Sequence, residues 1–369
     1  MLNFSYWELK EWFSNVDITI VGSGIVGLST ALQLKKKYPT AKILVLEKGM
    51  LPQGASTKNA GFACFGSLSE LIDDLQSHRE AEVLDLVAKR WEGLKELRST
   101  VGDLKLDFQQ KKGFELFLDK KLYNTCVLEK ERVNELLLPL FKQPVFTEMT
   151  NVFEFENIHP SYIVNNFEGQ IDTGSMMASL LALVQHRGIR VLNSCEVTEY
   201  QSDADGVRVS LGSFEFRTAK LCITTNGFAR QLLSADVKPA RAQVLITEPI
   251  PDLHIEGTFH LDKGYYYFRN IDGRILFGGG RNLDFKAEET AEFGQTQLVQ
   301  NKLEELLQTV ILPGKKVKIA QRWSGIMGVG EQKKAIVKSL DAHVYCGVRL
   351  GGMGVAIGSL IGKELAEIV

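Results

Sequence analysis

Three glycines and one acid offer the first chemistry in this chain. Gly22, Gly24 and Gly27 stand in G-x-G-x-x-G spacing, and Glu47 follows 20 residues after Gly27 (47 minus 27). Such a set binds a dinucleotide when it lies between a strand and a helix. The first glycine permits a tight turn, the second lets a pyrophosphate approach the backbone, and the third lets helix and strand pack closely. The helix begins at Ile25 and Val26, where unpaired N–H groups and the positive end of the dipole face the phosphates. A carboxylate at Glu47 can accept both hydroxyls of an adenosine ribose and repels a 2′-phosphate, which argues against NADP. NAD and FAD remain undistinguished by these features.

The elements that must position these residues are legible around them. Residues 17–21 form an apolar strand, Ile25, Leu28, Ala31, Leu32 and Leu34 mark a helix that stops before Pro39, and 43–46 is a second strand. A strand-helix-strand unit of this length opens a parallel sheet. Further along, helices are predicted over 69–98, 129–140 and 176–187, the last capped by Gly188, and a strand over 113–118. Short strands then follow at 190–193, 197–201, 207–211, 214–217 and 221–224, and again at 241–247, 264–269 and 274–277, the last two joined by an Ile271-Asp-Gly273 turn. Strand 343–348, a glycine-rich turn and a final helix close the chain. One crossover unit followed by hairpins predicts a mixed α/β (α+β) fold. At the start, Leu2, Tyr6, Leu9 and Phe13 recur at helical spacing with Trp12 alongside, an amphipathic helix expected to dock on its own domain because its polar face is not basic.

Bulk properties exclude several classes of function. A net charge of -2 with no basic run leaves nothing to attract a nucleic-acid backbone or an anionic membrane. Cys64, Cys126, Cys195, Cys222 and Cys346 are widely spaced and never form C-x-x-C, so neither a disulfide framework nor a zinc site is expected, and no metal is predicted. Glu8, Lys10 and Glu11 interrupt the N-terminal apolar residues and no membrane-spanning stretch follows, so a cytoplasmic protein without a membrane span is expected. At 369 residues the chain has room for two domains and a cleft between them.

The segment Gly54-Ala-Ser-Thr-Lys-Asn-Ala-Gly61 resembles the G-A-S-x-K/R-N-x-G segment of the D-amino-acid oxidase family of flavoproteins. The similarity extends to Gly169-Gln-Ile-Asp-Thr-Gly174, Leu221-Cys-Ile-Thr-Thr-Asn-Gly-Phe-Ala229, Tyr265-Tyr-Tyr-Phe-Arg269 with Gly278-Gly-Gly280, Arg322-Trp-Ser-Gly325, and Gly351-Gly-Met-Gly354. The resemblance implies noncovalent FAD. It implies a Rossmann-like FAD-binding domain made of residues 1–104, 169–238 and 323–369, and a discontinuous antiparallel-sheet substrate domain made of 105–168 and 239–322. Ser56, Lys58, Asn59 and Ala60 then run beside the flavin and pyrophosphate, and Val197 contributes backbone contacts on the adenine side. Lys48, Thr225, Gly227, Arg349 and Gly352 join the cofactor-binding set. Met353 and Gly354 open a helix whose dipole faces the flavin pyrimidine edge, where reduced flavin gathers negative charge.

Hydride transfer to flavin N5 requires a C–N or C–O bond held over the ring in the absence of water, more than a strong acid or base. Alternation places Tyr265, Tyr267 and Arg269 on one strand face, expected to be the substrate wall, and Tyr266 and Phe268 on the other. Family members that oxidise small amino acids carry an arginine in a G-L-R-P-like segment that clamps the substrate carboxylate. In Gly325-Ile-Met-Gly328 the matching residue is Met327, a pattern more similar to the amine-oxidising members. Arg269 is the expected substitute clamp. The resemblance thus implies oxidation of an amine or an N-substituted or ordinary amino acid to an imine, with oxygen or another acceptor taking the electrons. Oxidation of a 2-hydroxy acid and a flavin-bound protein without turnover stay open.

Overall fold

The computed structural model describes residues 4–369. Strand Val16–Val21 is buried at every position but Asp17, as a parallel strand covered on both faces should be. It pairs in parallel with Ile43–Leu46 on one side and with Phe214–Ile223 on the other, and the latter pairs in parallel with Val344–Val348. Ile336–Ser339 and Arg190–Leu192 form the two ends of this row, and the hairpin Glu199–Asp203 with Gly206–Leu211 hangs from Phe214–Ile223. The helices against it approach closely because glycines line their crossings. A Cβ on Gly358 or Gly362 of the C-terminal helix Gly354–Ile368 would fall 2.8 Å from Ile25 or 2.5 Å from Ser29 of helix Ile25–Lys37. A Cβ on Gly93 of helix Glu80–Val101 would fall 2.1 Å from the Ala356 carbonyl oxygen.

The second sheet runs Ile319–Val329, Lys238–Thr247, Arg274–Gly279, Tyr266–Ile271, Thr258–Leu261, Gly113–Leu116, Ser161–Asn165, Phe146–Thr150. All its pairings are antiparallel except that of Thr258–Leu261 with Gly113–Leu116. Tyr266 and Phe268 point into an aromatic core with Phe259 and Phe277, which leaves Tyr267 on the opposite face. Asp272 and Gly273 both take positive φ, as a two-residue hairpin turn demands. The fold is therefore mixed α/β with a Rossmann-like dinucleotide half.

Several elements differ from their sequence-based outlines. Residues 214–223 form one strand where two were expected, since Thr218 continues the pairing with Val16 and Val207. The helix expected over 69–98 is two, Leu68–Ser77 and Glu80–Val101, because Ser67 with Glu70 and Arg79 with Glu82 make separate N-terminal caps. The boundary expected at 323 falls inside strand Ile319–Val329, which pairs with Lys238–Thr247 as far as Val329. At the N-terminus the helical residues are 6–13, and Leu2 lies outside the described residues. Phe4 and Phe13 pack on Phe214, whereas Tyr6 and Trp7, each 68% exposed, and Leu9 face away from the body. Among the described residues no helix is long and apolar enough to cross a membrane.

Candidate active site

A cavity of about 620 Å³ runs between the two sheets, from the glycine turn to the tyrosine strand. At its first end Gly22 takes φ +103°, and a Cβ on Gly27 would lie 2.0 Å from the Gly22 carbonyl oxygen. Gly24 caps the helix and needs no side chain of its own, because the Ser56 hydroxyl accepts the Ile25 N–H at 3.0 Å. Gly22, Gly24, Ile25 and Val26 line the cavity, while Gly27 stands behind them.

Glu47 is also on the wall, but its carboxylate is fully engaged by the chain. Oε2 accepts from Ser23 N (3.1 Å) and Ser23 Oγ (2.9 Å), and Oε1 from Gly49 N (3.1 Å) and Gln53 N (3.2 Å). A carboxylate has about four acceptor sites, so Glu47 organises both loops around it, and a ribose hydroxyl must displace or share one of these donors. That role is broader than the one its spacing suggested. Lys48 places its ammonium 3.7 Å above the Phe228 ring, also at the wall, and Val197 and Thr225 line the same end. Val197 precedes strand Glu199–Asp203, which starts two residues later than expected. Gly227 is not on the wall: it faces the other way, where a Cβ would meet the carbonyl oxygens of Met327 and Ile326 at 2.7 and 2.8 Å.

The middle of the cavity is built by Ser56, Lys58, Asn59 and Ala60. Asn59 bonds the carbonyls of Ala55 and Ser56 and accepts from Gly61 N and the Thr173 hydroxyl, so its side chain fixes the loop. Trp323 donates its indole N–H to the Lys58 carbonyl at 2.9 Å, tying this loop to the second sheet. Arg349 lines the wall with φ +65°, but its guanidinium is bound to Asp236 Oδ2 (2.6 Å) and the Lys334 carbonyl (2.9 Å). Gly352, Met353 and Gly354 complete this side. The nearest protein atom to a Cβ on Gly352 or Gly354 would be 3.8 Å away, so packing does not demand their bareness; side chains there would fill the cavity instead.

At the far end Tyr265 and Tyr267 line the cavity, joined by Phe62, whose ring meets Tyr267 edge-on at 5.6 Å. Burial pushes the Tyr267 phenol up to about 12. Arg269 is a correction. It is buried behind Gly61, which it approaches closely enough that a Cβ there would lie 3.2 Å from its Cζ, and it does not reach the cavity. Burial lowers its pKa to about 10 against the pull of Asp172, Asp107 and Asp272. The expectation failed because strand alternation fixes a face and says nothing about which part of that face another loop covers.

Residues that spacing did not reveal also line this end: His260, Cys64 and Arg281. His260 Nε2 lies 2.6 Å from Glu168 Oε1 and Cys64 Sγ is close to both, the three donor atoms falling within 4.8 Å of one another. Burial and the acids Glu168 and Glu70 raise the Cys64 thiol well above its ordinary value, which keeps it neutral and structural. Cys346, by contrast, is in the core of the first sheet and away from the cavity. Arg281 stacks over Phe285 at 4.9 Å and has no acid partner among the described residues; burial lowers its pKa. Strand Thr258–Leu261, which carries His260, is not among the strands the sequence predicts, and residues 64, 168 and 260 are too far apart in sequence to read as a group.

These features fit FAD: a glycine turn, helix N-terminus and acid at one end, a bare glycine cradle and an aromatic wall at the other. A family model described as FAD dependent oxidoreductase matches residues 17–368. Gamma-glutamylputrescine oxidoreductase of Escherichia coli is 24% identical over 378 residues, covering 96% of this chain and 83% of its own. In fold, the chain is similar to glycine oxidase from Geobacillus kaustophilus (TM-score 0.76, 17% identity, 95% of this chain and 94% of that one). It is also similar to L-proline dehydrogenase from P. horikoshii (TM-score 0.75, 17% identity, 96% and 93%). With the match spanning both sheets and the cavity between them, the chain belongs to the FAD-dependent oxidoreductase family.

Proposed function

We propose that this protein oxidises the C–N bond of an amine, or of an ordinary or N-substituted amino acid, to an imine, with noncovalent FAD as the hydride acceptor. The observation that carries the reading is the continuity of one cavity from the glycine turn to the wall of Phe62, Tyr265 and Tyr267. Bound FAD supplies an acceptor at flavin N5, which leaves positioning and water exclusion to the chain. Tyr267 and Phe62 form a half-buried aromatic pair suited to hold a small molecule against a planar ring and shed its water. The N-terminus of helix Gly354–Ile368, with the N–H groups following Met353, supplies fixed donors for charge that develops there.

The names of the similar proteins, a gamma-glutamylputrescine oxidoreductase, a glycine oxidase and an L-proline dehydrogenase, support C–N chemistry. The test is anaerobic mixing of the yellow holoprotein with primary amines, N-methyl amino acids and 2-hydroxy acids. Loss of flavin absorbance with an amine or amino acid is the expected outcome. Bleaching by a hydroxy acid alone, or by nothing in the panel, would sink the proposal. Admitting air after bleaching then separates an oxidase from a dehydrogenase.

A further inference from the structure

The deepest charge beside the substrate end of the cavity belongs to Glu168, which is 0% exposed. Oε1 accepts from the Thr258 hydroxyl at 2.8 Å and meets His260 Nε2 at 2.6 Å. Oε2 has no donor among the described residues and lies against Gly113, where a Cβ would be only 2.2 Å away. Burying a carboxylate with one oxygen unpaired by the chain is costly unless a counter-charge is in contact. His260 is that counter-charge.

The other charged groups acting on His260 are Glu70 and Glu115; the neutral Cys64 is close by, with Arg90 beyond it bonded to the Phe65 carbonyl. Burial by itself drives the imidazole toward its neutral form, but attraction to Glu168, then to Glu70 and Glu115, outweighs it and raises the pKa to about 9. An imidazolium has two N–H donors. Nε2 is spent on Glu168, whereas Nδ1 has no partner among the described residues and belongs to a ring that lines the cavity, edge-on to Phe62 and in register with Tyr267.

We propose that His260, held ionised and in orientation by Glu168, is an anion-binding donor of the substrate pocket, so that the substrate is an amine bearing a carboxylate. The word amine rests on the proposed function; the anion site does not, because it binds without turnover. Of the other cations, Arg269 is outside the cavity, Arg349 is bound to Asp236, Lys263 to Asp73 and Lys333 to Asp74, and Arg281 lies beside the exposed rings of Tyr265 and Phe285. Lys58 lines the middle of the cavity, and Arg90, which bonds the Phe65 carbonyl, is the remaining cation at this end, so Arg90→Met is the control for His260→Gln.

The experiment titrates the holoprotein with propionate and with its neutral isostere propionamide, following the flavin spectrum. Near neutral pH propionate should bind about ten-fold tighter or more, the preference that one charged hydrogen bond confers. His260 is cationic below its pKa, so the preference should be present at neutral pH and disappear as pH rises through about 9. His260→Gln should abolish it while FAD is retained. Glu168→Gln should move its loss down toward about pH 6.5, the ordinary histidine range, a shift that a merely structural glutamate would not cause. The wild-type pH profile decides the matter even if a variant fails to fold. Persistence of the preference at high pH or in His260→Gln, its loss only in Arg281→Met, or absence of propionate binding would each overturn the proposal. Amine bleaching without a carboxylate preference defeats this inference alone; a carboxylate preference without amine bleaching defeats only the oxidation reading.

Discussion

Glu47 accepts four hydrogen bonds from two loops, so its removal should be felt before any cofactor arrives. Each bond to a charged group contributes about 1.5 to 3 kcal/mol, and the stranded donors of Ser23, Gly49 and Gln53 add a desolvation cost. Glu47→Ala should lower the melting temperature of the apoprotein by several degrees and weaken FAD binding by about ten-fold or more. An apoprotein that melts like wild type would contradict the organising role described here, and unchanged FAD affinity would contradict any part in cofactor binding. Its position was legible because the acid stands at a fixed distance after a strand-helix-strand unit. Its partners were not, because Ser23 and Gln53 are ordinary polar residues until the chain closes round the carboxylate. Arg269 and His260 show the same limit. They are on strands next to each other, but only the loop carrying Gly61 covers Arg269 and only the buried Glu168 sets the state of His260.

Helix Gly354–Ile368 packs on two others through glycines, and its first turn is the cradle of Met353 and Gly354. Gly93 meets it most closely, so Gly93→Ala would force Ala356 and its helix outward. Overpacking of this kind costs about 1 to 3 kcal/mol. Thermal unfolding of the variant should shift down by several degrees, and FAD titration should show weaker binding because the displaced turn forms the cavity wall. Identical melting curves would mean that the helices separate freely. Patterns with one period, such as the apolar strand 17–21 or the helix ending at Pro39, could be read directly. The strand over 214–223 and the break after Ser77 could not, since the first is joined by its partners and the second is set by caps that compete with a continuous helical pattern. The glycines of the helix crossings carry no local signal, because their reason is a backbone hundreds of residues away.

Across the whole molecule the two sheets share their joints. Trp323 of the second sheet holds the Lys58 carbonyl, and Arg349 at the end of the first sheet bonds Asp236 at the start of the second. Ligand that binds only the folded form stabilises by about 2.7 kcal/mol at a concentration 100-fold above Kd. Calorimetry should therefore show one transition that moves up as a unit when FAD is added to the apoprotein. Two transitions, with FAD moving only one, would mean that the sheets are independent. The order of the first sheet also has a kinetic meaning. Ile18 pairs next to Lys220, 202 positions away (220 minus 18), and Leu221 next to Val344, 123 positions away (344 minus 221). Such distant pairings form slowly, because closure entropy is spent before the contacts repay it. The nucleotide cleft is therefore assembled from pairings that span more than half of the chain, and in a refolding experiment the recovery of FAD binding is expected to lag the return of helical signal.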